Sequence, residues 1–344
     1  MVIDEKYMRR ALQLARLGVG RTSPNPMVGA VIVAPDGAII GEGWHRKCGE
    51  AHAEVNAVAS VKDASLLKDC TIYVTLEPCS HYGKTPPCAN LLIERGIPRV
   101  VVGCLDPFPA VAGRGVAMLR EAGVEVVTGV LEQECRTLNK RFMKAHTSGR
   151  PWVQLKWAQT ADGFIGVPPE LGENPLRMST PVTMNLMHRQ RALFDAIVVG
   201  ATTANIDNPS LTTRYWPGNN PLRVVLSREL SLGDNLKLLT DGLPTIIYNS
   251  LRDEVKGPVQ WVKTDCNDVR SWLQDLYRRG VTSVMVEGGA QVLRQLIDQG
   301  QWDEARIEVS PRRVGQGVAA PPIAGRVASS LLIDGNTITR MLNA

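Results

Sequence analysis

Apolar runs of strand length alternate with helix-spaced patterns along this chain, and the alternation occurs twice. In the first series Tyr7, Met8, Ala11, Leu12 and Ala15 recur at helical spacing, ahead of a turn cluster at 22–26. Strands are predicted over 28–33 and 39–43 around the tight Pro35-Asp36-Gly37 turn, followed by a helix over 51–59 and a strand over 71–76. A strand over 99–104, a helix over 115–122 and a strand over 124–127 complete the series. The polar stretch Thr147-Ser148-Gly149-Arg150-Pro151, after a basic helix, reads as a domain boundary. Beyond it come a strand over 152–158, a helix over 182–193 and strands over 196–200 and 222–226. A helix over 269–279, a strand over 283–287, a helix over 290–299 and a strand over 304–309 follow. Such alternation implies α/β layers. Two α/β domains are expected, 1–146 and 151–344.

Length supports the division, because 344 residues exceed what one core usually holds. The 39 Lys and Arg against 34 Asp and Glu leave a net charge of +5 with no basic run, which argues against a nucleic-acid partner. Apolar stretches such as 196–200 are strand-sized and far short of a membrane span. The first helix pattern follows Met1 almost at once and mixes charge with apolar residues, unlike a signal peptide. A cytoplasmic chain without a membrane partner is therefore expected. Its seven cysteines are an odd number, which favours reduced thiols over a disulfide framework. Six of them lie at or before Cys135, so a metal site is expected in the first half.

His52-Ala53-Glu54 falls in the helix over 51–59, Pro78-Cys79 follows a strand by one short turn, and Cys88 comes nine positions later. One imidazole and two thiolates give zinc three ligands and leave a fourth tetrahedral position for water. At such a position the pKa of water falls to about 7. Glu54 can carry a proton without occupying the metal. Cys79, at an expected helix start, would be favoured as a thiolate by the helix dipole. Singly these are ordinary residues, two core thiols and a hydrogen-bonded histidine. Together, His-x-Glu with a later Pro-Cys and a further Cys matches the zinc deaminase pattern, in which a non-ligand Glu is the general acid/base. The usual Cys-x-x-Cys is replaced by a polar, turn-rich insert, Ser80 to Pro87, which still lets both thiols reach one metal.

Pro24-Asn25-Pro26-Met27-Val28-Gly29, Gly43-Trp44-His45, Gly49-Glu50-Ala51-His52-Ala53-Glu54 and Thr75-Leu76-Glu77-Pro78-Cys79-Ser80-His81 through Thr85-Pro86-Pro87-Cys88 closely resemble the bifunctional riboflavin-biosynthesis deaminase/reductases. The long insert between the cysteines is normal for that family. The resemblance implies a cytidine-deaminase-like three-layer first domain, with zinc on His52, Cys79 and Cys88. It implies a diaminopyrimidinone substrate carrying a ribosylamino 5'-phosphate, in a pocket lined by Asn25, His45, His81 and Lys84. Chemically, Asn25 and the two His are hydrogen-bonding groups on turns, and Lys84 can face the phosphate.

No Gly-x-Gly-x-x-Gly follows a strand in the second half, so a Rossmann nicotinamide site is not supported. Instead Val284-Met285-Val286-Glu287-Gly288-Gly289-Ala290 reads as a strand, a glycine pair and a helix start, where a phosphate can approach backbone amides. His188 and Cys266 lack partner spacing and read as structural. The resemblance continues through Leu155-Lys156, Asp162-Gly163, Arg191-Ala192, Asp195-Ala196-Ile197, Asp207-Asn208-Pro209-Ser210-Leu211-Thr212, Arg214, Pro221-Leu222-Arg223-Val224-Val225 and Glu287-Gly288-Gly289. It implies a dihydrofolate-reductase-like domain that uses NADPH. Lys156, Ser179, Arg191, Leu211, Arg214 and Glu287 would hold the substrate, and Ala158, Thr203, Asp207 and the stretch from Gly289 the cofactor. The guanidinium forks of Arg191 and Arg214 suit phosphate. Lys156 can neutralise the charge that develops as hydride arrives, and Asp207 can orient the reacting groups, so both join Glu54 as catalytic candidates. Two departures from the family stand out. Arg177 occupies a place near which an aromatic residue is usual, and Ser227 replaces an Asp after the Arg-Val-Val strand.

The expected function is zinc-dependent hydrolytic deamination followed by NADPH-dependent reduction of the ribosyl chain to ribityl, by a homo-oligomer acting on a small phosphorylated pyrimidine. The rivals are a nucleic-acid-editing zinc deaminase with an unrelated second domain, and a zinc-stabilised scaffold without chemistry.

Overall fold

A computed structural model describes residues 4–80, 86–108, 112–167 and 176–343. They divide into two compact units, Met1–Gly149 and Arg150–Ala344.

In the first unit α1 (Glu5–Ala15) begins where the Asp4 side chain accepts the Lys6 amide, and it buries Met8, Ala11, Leu12 and Ala15 along one face. Then follow β1 (Gly29–Val33), β2 (Ile39–Trp44), α2 (Ala53–Ser60), β3 (Thr71–Leu76), α3 (Cys88–Glu94) and β4 (Arg99–Cys104). The unit closes with α4 (Arg114–Glu121), β5 (Glu125–Thr128), α5 (Glu132–Leu138) and α6 (Lys140–Ser148). The sheet runs β2-β1-β3-β4-β5. β1 is antiparallel to β2 and β3, whereas β3, β4 and β5 are parallel. β1 and β3 are buried along their whole length, as strands covered on both faces must be. On one face Ile32 and Val74 pack with Ala57 of α2, Leu92 of α3 and Leu119 of α4. On the other Val31, Tyr73 and Val101 pack with Leu12 of α1, Cys135 of α5 and Met143 of α6. This is the three-layer arrangement that the sequence led us to expect.

α2 lies unusually close to β2. A Cβ at Gly43 would fall on the backbone N of Ala57 and the carbonyl O of Ala53, and one at Gly41 would stand 2.7 Å from the Ala57 carbonyl. Two local expectations are corrected. His52 is the N-cap of α2, in extended backbone, and not a residue within the helix. The helix start expected at Cys79 comes at Cys88 instead, after Pro87, which has no amide hydrogen to continue a helix through it.

The second unit comprises β6 (Trp152–Gln159), β7 (Phe164–Gly166), α7 (Pro181–Arg191), β8 (Ala196–Gly200), α8 (Ala201–Asp207) and β9 (Leu222–Leu226). Next come α9 (Lys237–Thr240), β10 (Thr245–Asn249), β11 (Glu254–Lys256), β12 (Val259–Lys263), α10 (Val269–Arg278), β13 (Ser283–Val286) and α11 (Ala290–Asp298). β14 (Glu304–Val309), β15 (Val318–Ala319), β16 (Arg326–Ile333) and β17 (Asn336–Leu342) complete it. One sheet runs β11-β12-β10-β9-β8-β13-β6-β14-β17-β16, and β15 pairs with β7. From β12 to β14 the neighbours are parallel, and the strands outside that run are antiparallel. Leu155, Val198 and Val224 pack with Trp272 and Leu276 of α10 and Leu293 of α11 on one face. Ile197, Val199, Val225 and Ile247 pack with Ala204 and Leu238 on the other. β8 leads directly into α8, and a Glu287-Gly288-Gly289 turn joins β13 to α11, so two helix N-termini meet at the same end of the sheet.

Candidate functional site

In the first unit the N-cap of α2, the turn after β3 and the first residue of α3 bring His52, Cys79 and Cys88 together. His52 Nδ1 lies 3.4 Å from Cys88 Sγ and 3.7 Å from Cys79 Sγ. Ordinary zinc bond lengths at a tetrahedral angle put an N and an S ligand about 3.6 Å apart. The donor set therefore fits zinc, and three ligands leave one position open. Among the described residues this is the group of His, Cys and acidic side chains that could hold a metal. The backbone N–H of Cys88 donates to Cys79 Sγ at 3.3 Å, so the start of α3 does favour the Cys79 thiolate, although the helix is not its own. Hydrogen bonding from Cys88, against the cost of burial and aided by His52, holds Cys79 well below the ordinary thiol range, and the same contact pushes Cys88 up.

Glu54 is buried two residues from His52, on the first turn of α2. Burial, with the neighbouring Cys79 charge, pushes its carboxyl up to about 7. A group poised there both accepts and gives a proton at neutral pH. His45 Nδ1 lies 3.1 Å from the Ala51 carbonyl, so Nδ1 donates and Nε2 accepts from the Asn25 amide at 3.3 Å. Burial lowers the pKa of His45, which keeps the ring neutral. Asn25, His45, His52, Glu54 and Cys79 line one cavity of about 560 Å3. His81 and Lys84 lie outside the described residues.

Sequence reasoning missed Glu77. Its Oε2 accepts from the amides of Asp106 (3.2 Å) and Gly113 (2.9 Å) and its Oε1 from Val116 (3.2 Å), so it ties the metal-bearing turn to the start of α4. The available signal was an acidic residue directly after the apolar run of β3.

In the second unit Thr203, Asp207 and Gly289 line a cavity of about 580 Å3 together with Ser227. The N-caps of α8 and α11 are Gly200 and Gly289, and among the described residues neither helix start is capped by a side chain. Their amides are available to an anion such as the pyrophosphate of a dinucleotide, which fits NADPH. Ser227 Oγ is buried there with no hydrogen-bond partner among the described residues. Ala158 is not among the lining residues; it sits on β6 in register with Glu308 of β14.

The residues expected at the substrate separate into distinct situations. Arg191 Nε and Nη2 donate to Glu287 at 3.1 and 2.8 Å, and Nη1 donates to the Thr212 carbonyl at 3.1 Å. The fork expected on a phosphate is thus engaged within the protein, because a buried carboxylate needs a partner. Burial alone would raise the Glu287 pKa, but the charges of Arg191 and Lys156 hold it down at about 2. Ser179 Oγ donates to Glu308 at 2.9 Å, and Glu308 also accepts from Asn336 at 2.6 Å. Glu308 is a second residue missed from sequence. The Leu211 side chain is buried in the core at a backbone φ of 52°, so its backbone is what remains for a ligand. Arg214 is exposed, and its amide donates to His188 Nδ1 at 3.0 Å. Burial, with the charges of Arg191 and Arg214, pushes His188 down to about 4.

One route to hydrolytic loss of an amino group uses an electrophilic metal with a free position and a buried proton carrier beside it. The first unit sets three ligands for such a metal beside such a carrier on a three-layer scaffold, and the second offers a cleft for a phosphorylated cofactor. The class is a zinc deaminase joined to a nucleotide-dependent reductase. Residues 1–104 match the family described as Cytidine and deoxycytidylate deaminase zinc-binding region, and residues 151–338 match the RibD C-terminal domain. The riboflavin biosynthesis protein RibD of Bacillus amyloliquefaciens is 40% identical over 340 residues, covering 96% of this chain and 90% of the relative. That of Escherichia coli is 35% identical over 332 residues, covering 91% and 89%. The crystal structure of a Thermotoga maritima diaminohydroxyphosphoribosylaminopyrimidine deaminase/5-amino-6-(5-phosphoribosylamino)uracil reductase superposes with a TM-score of 0.87 at 37% identity, covering 99% of this chain and 98% of that one. The chain belongs to the RibD family of bifunctional deaminase/reductases in riboflavin biosynthesis. Full-length similarity to bifunctional enzymes displaces both the editing deaminase and the inert scaffold.

Proposed function

We propose that the first unit deaminates a diaminopyrimidinone bearing a ribosylamino 5'-phosphate and that the second reduces its ribosyl chain to ribityl. The observation that carries this reading is the convergence of His52, Cys79 and Cys88 beside the buried Glu54. When bound, zinc supplies Lewis acidity and, with it, a nucleophilic water at neutral pH. Glu54 takes a proton from the attacking water and returns it to the departing nitrogen, in keeping with its pKa of about 7. Asn25 and His45 orient the ring through the hydrogen-bonded pair they already form, His81 adds a further hydrogen-bonding group to the pocket, and Lys84 takes the phosphate.

When bound in the second unit, NADPH would supply the hydride that the substrate carbon accepts. Thr203, Asp207 and Gly289 hold the cofactor from the cavity they line, and Asp207 orients the reacting groups. Lys156 stabilises the charge that develops on the substrate heteroatom. Glu287, fixed by Arg191, faces the substrate as a carboxylate, with Ser179, Arg214 and the Leu211 backbone completing the contacts. Cytoplasmic residence fits the seven cysteines, none of which is in a disulfide. A homo-oligomer is supported by the edge strand β16, which leaves Val327, Leu331 and Leu332 exposed at 57%, 59% and 75%. Sedimentation of the purified chain tests that point. Turnover of the pyrimidine phosphate tests the activity: ammonia should appear without NADPH, and NADPH oxidation should follow only after deamination. Absence of both under metal-replete conditions overturns the proposal.

A further inference from the structure

The stretch matched to the deaminase zinc-binding region ends at residue 104, yet the cavity that holds the metal ligands does not. Phe108, Phe142 and His146 also line it. Two of these come from α6, which in sequence looks like a helix leading out of the domain. Phe142 and His146 are four residues apart and so share one helix face. Their rings meet edge to face with centroids 4.4 Å apart, and Phe108 meets His146 in the same manner at 5.3 Å.

The helix is also held firmly against the rest of the pocket. Asn139, buried at its N-cap, accepts from the Met27 amide at 2.8 Å and donates to the Met27 carbonyl at 2.8 Å. Met27 sits between Pro26 and Val28, which line the same cavity as Asn25. α6 is thereby fixed to the turn that carries Asn25. A reciprocal clamp of this kind places aromatic rings with little freedom left to lose on binding.

We infer that Phe108, Phe142 and His146 form a recognition wall of the deaminase pocket against which the planar pyrimidine stacks, making α6 part of the active site. The inference rests on the deaminase reading above. The metal ligands and Glu54 act on the amino-bearing carbon, and the aromatic wall contributes to holding the ring, so it governs binding more than bond breaking. Burial lowers the pKa of His146, which keeps its imidazole neutral and suited to packing against an uncharged ring.

The test is steady-state deamination by the zinc-loaded full chain carrying Phe108→Ala, Phe142→Leu, His146→Ala or His146→Phe. Phe108 is 39% exposed, so its truncation leaves the core intact. Each of the first three changes should raise KM about three- to ten-fold, the scale of one aromatic contact, with kcat within about two-fold. His146→Phe, which restores a ring, should stay near wild-type KM. A triaminopyrimidinone inhibitor lacking the sugar phosphate should weaken by the same factors, because the wall is assigned to the ring. Unchanged KM and inhibition in these variants overturn the inference, as does loss of zinc or of kcat in place of a KM effect. Failure of the wild-type chain to deaminate would instead overturn the functional reading beneath it.

Discussion

Arg191 and Glu287, 96 residues apart in sequence, are buried side by side and joined by two hydrogen bonds of 3.1 and 2.8 Å. Leaving one half of a buried pair alone costs about 3–5 kcal/mol. Arg191→Met should therefore destabilise the chain by that order and slow NADPH oxidation at least tenfold. Zinc content and deamination should persist, since their residues lie in the other unit. Adding Glu287→Gln to Arg191→Met should recover much of the stability but not the reductase. Urea unfolding beside the two activity assays checks this, and a stable, active Arg191→Met protein would contradict it.

Glu54→Gln keeps the three metal ligands and removes the proton carrier. Zinc measured by atomic absorption should stay near one per chain, while ammonia release falls at least a hundredfold, within the usual range for a general acid/base. Chelation of the metal should abolish the same activity and spare NADPH oxidation of pre-deaminated substrate. Normal deamination by Glu54→Gln would remove this residue from the mechanism.

Asp207 ends α8 and lines the second cavity with Thr203 and Gly289. Asp207→Asn is nearly isosteric, yet misplacement of reacting groups costs orders of magnitude in rate. NADPH oxidation with deaminated substrate should slow strongly, with ammonia release and zinc near wild type. Equal loss of both activities in a folded variant would show that the two units are not catalytically separable.

His188 has a pKa of about 4 in the fold, against an ordinary 6.5. Between those values the unfolded chain binds a proton that the folded chain refuses, so stability rises with pH across the window. The contribution is complete above pH 6.5, fades as pH falls and is gone near pH 4. Its full size is on the order of 3 kcal/mol. His188→Gln can still accept the Arg214 amide but does not titrate. Wild type should lose more stability than the variant between pH 7 and pH 4.5, and parallel curves would show that His188 is not the source.

Much of this architecture was legible because strands buried on both faces read as largely apolar runs; β3, β4, β8 and β9 match their expected spans to the residue, and so does β14, whose Glu-Ala-Arg-Ile-Glu-Val sequence alternates charged and apolar residues instead. β16 was not legible, since its Arg-Val-Ala-Ser-Ser-Leu-Leu-Ile sequence is exposed on both faces and carries no period. The metal ligands and Glu54 could be read from residue type and spacing, because the chemistry demands those types. Glu77 and Glu308 could not, as their partners lie 29 to 39 and 28 to 129 residues away. The pairing of Arg191 with Glu287 was hidden for the same reason, visible only once β13 and α7 are brought together.

The nearly touching backbones of β2 and α2 give the deaminase an unexpected gauge. Glu54 and the His52 cap ride on a helix whose height above the sheet is set by a hydrogen atom, the side chain of Gly43. A single methyl group there would act as a wedge under that helix and lift the metal ligand and the proton carrier together, though it touches neither. The tolerance of the chemistry is thus fixed from beneath, by the thickness of the material on which the site is mounted.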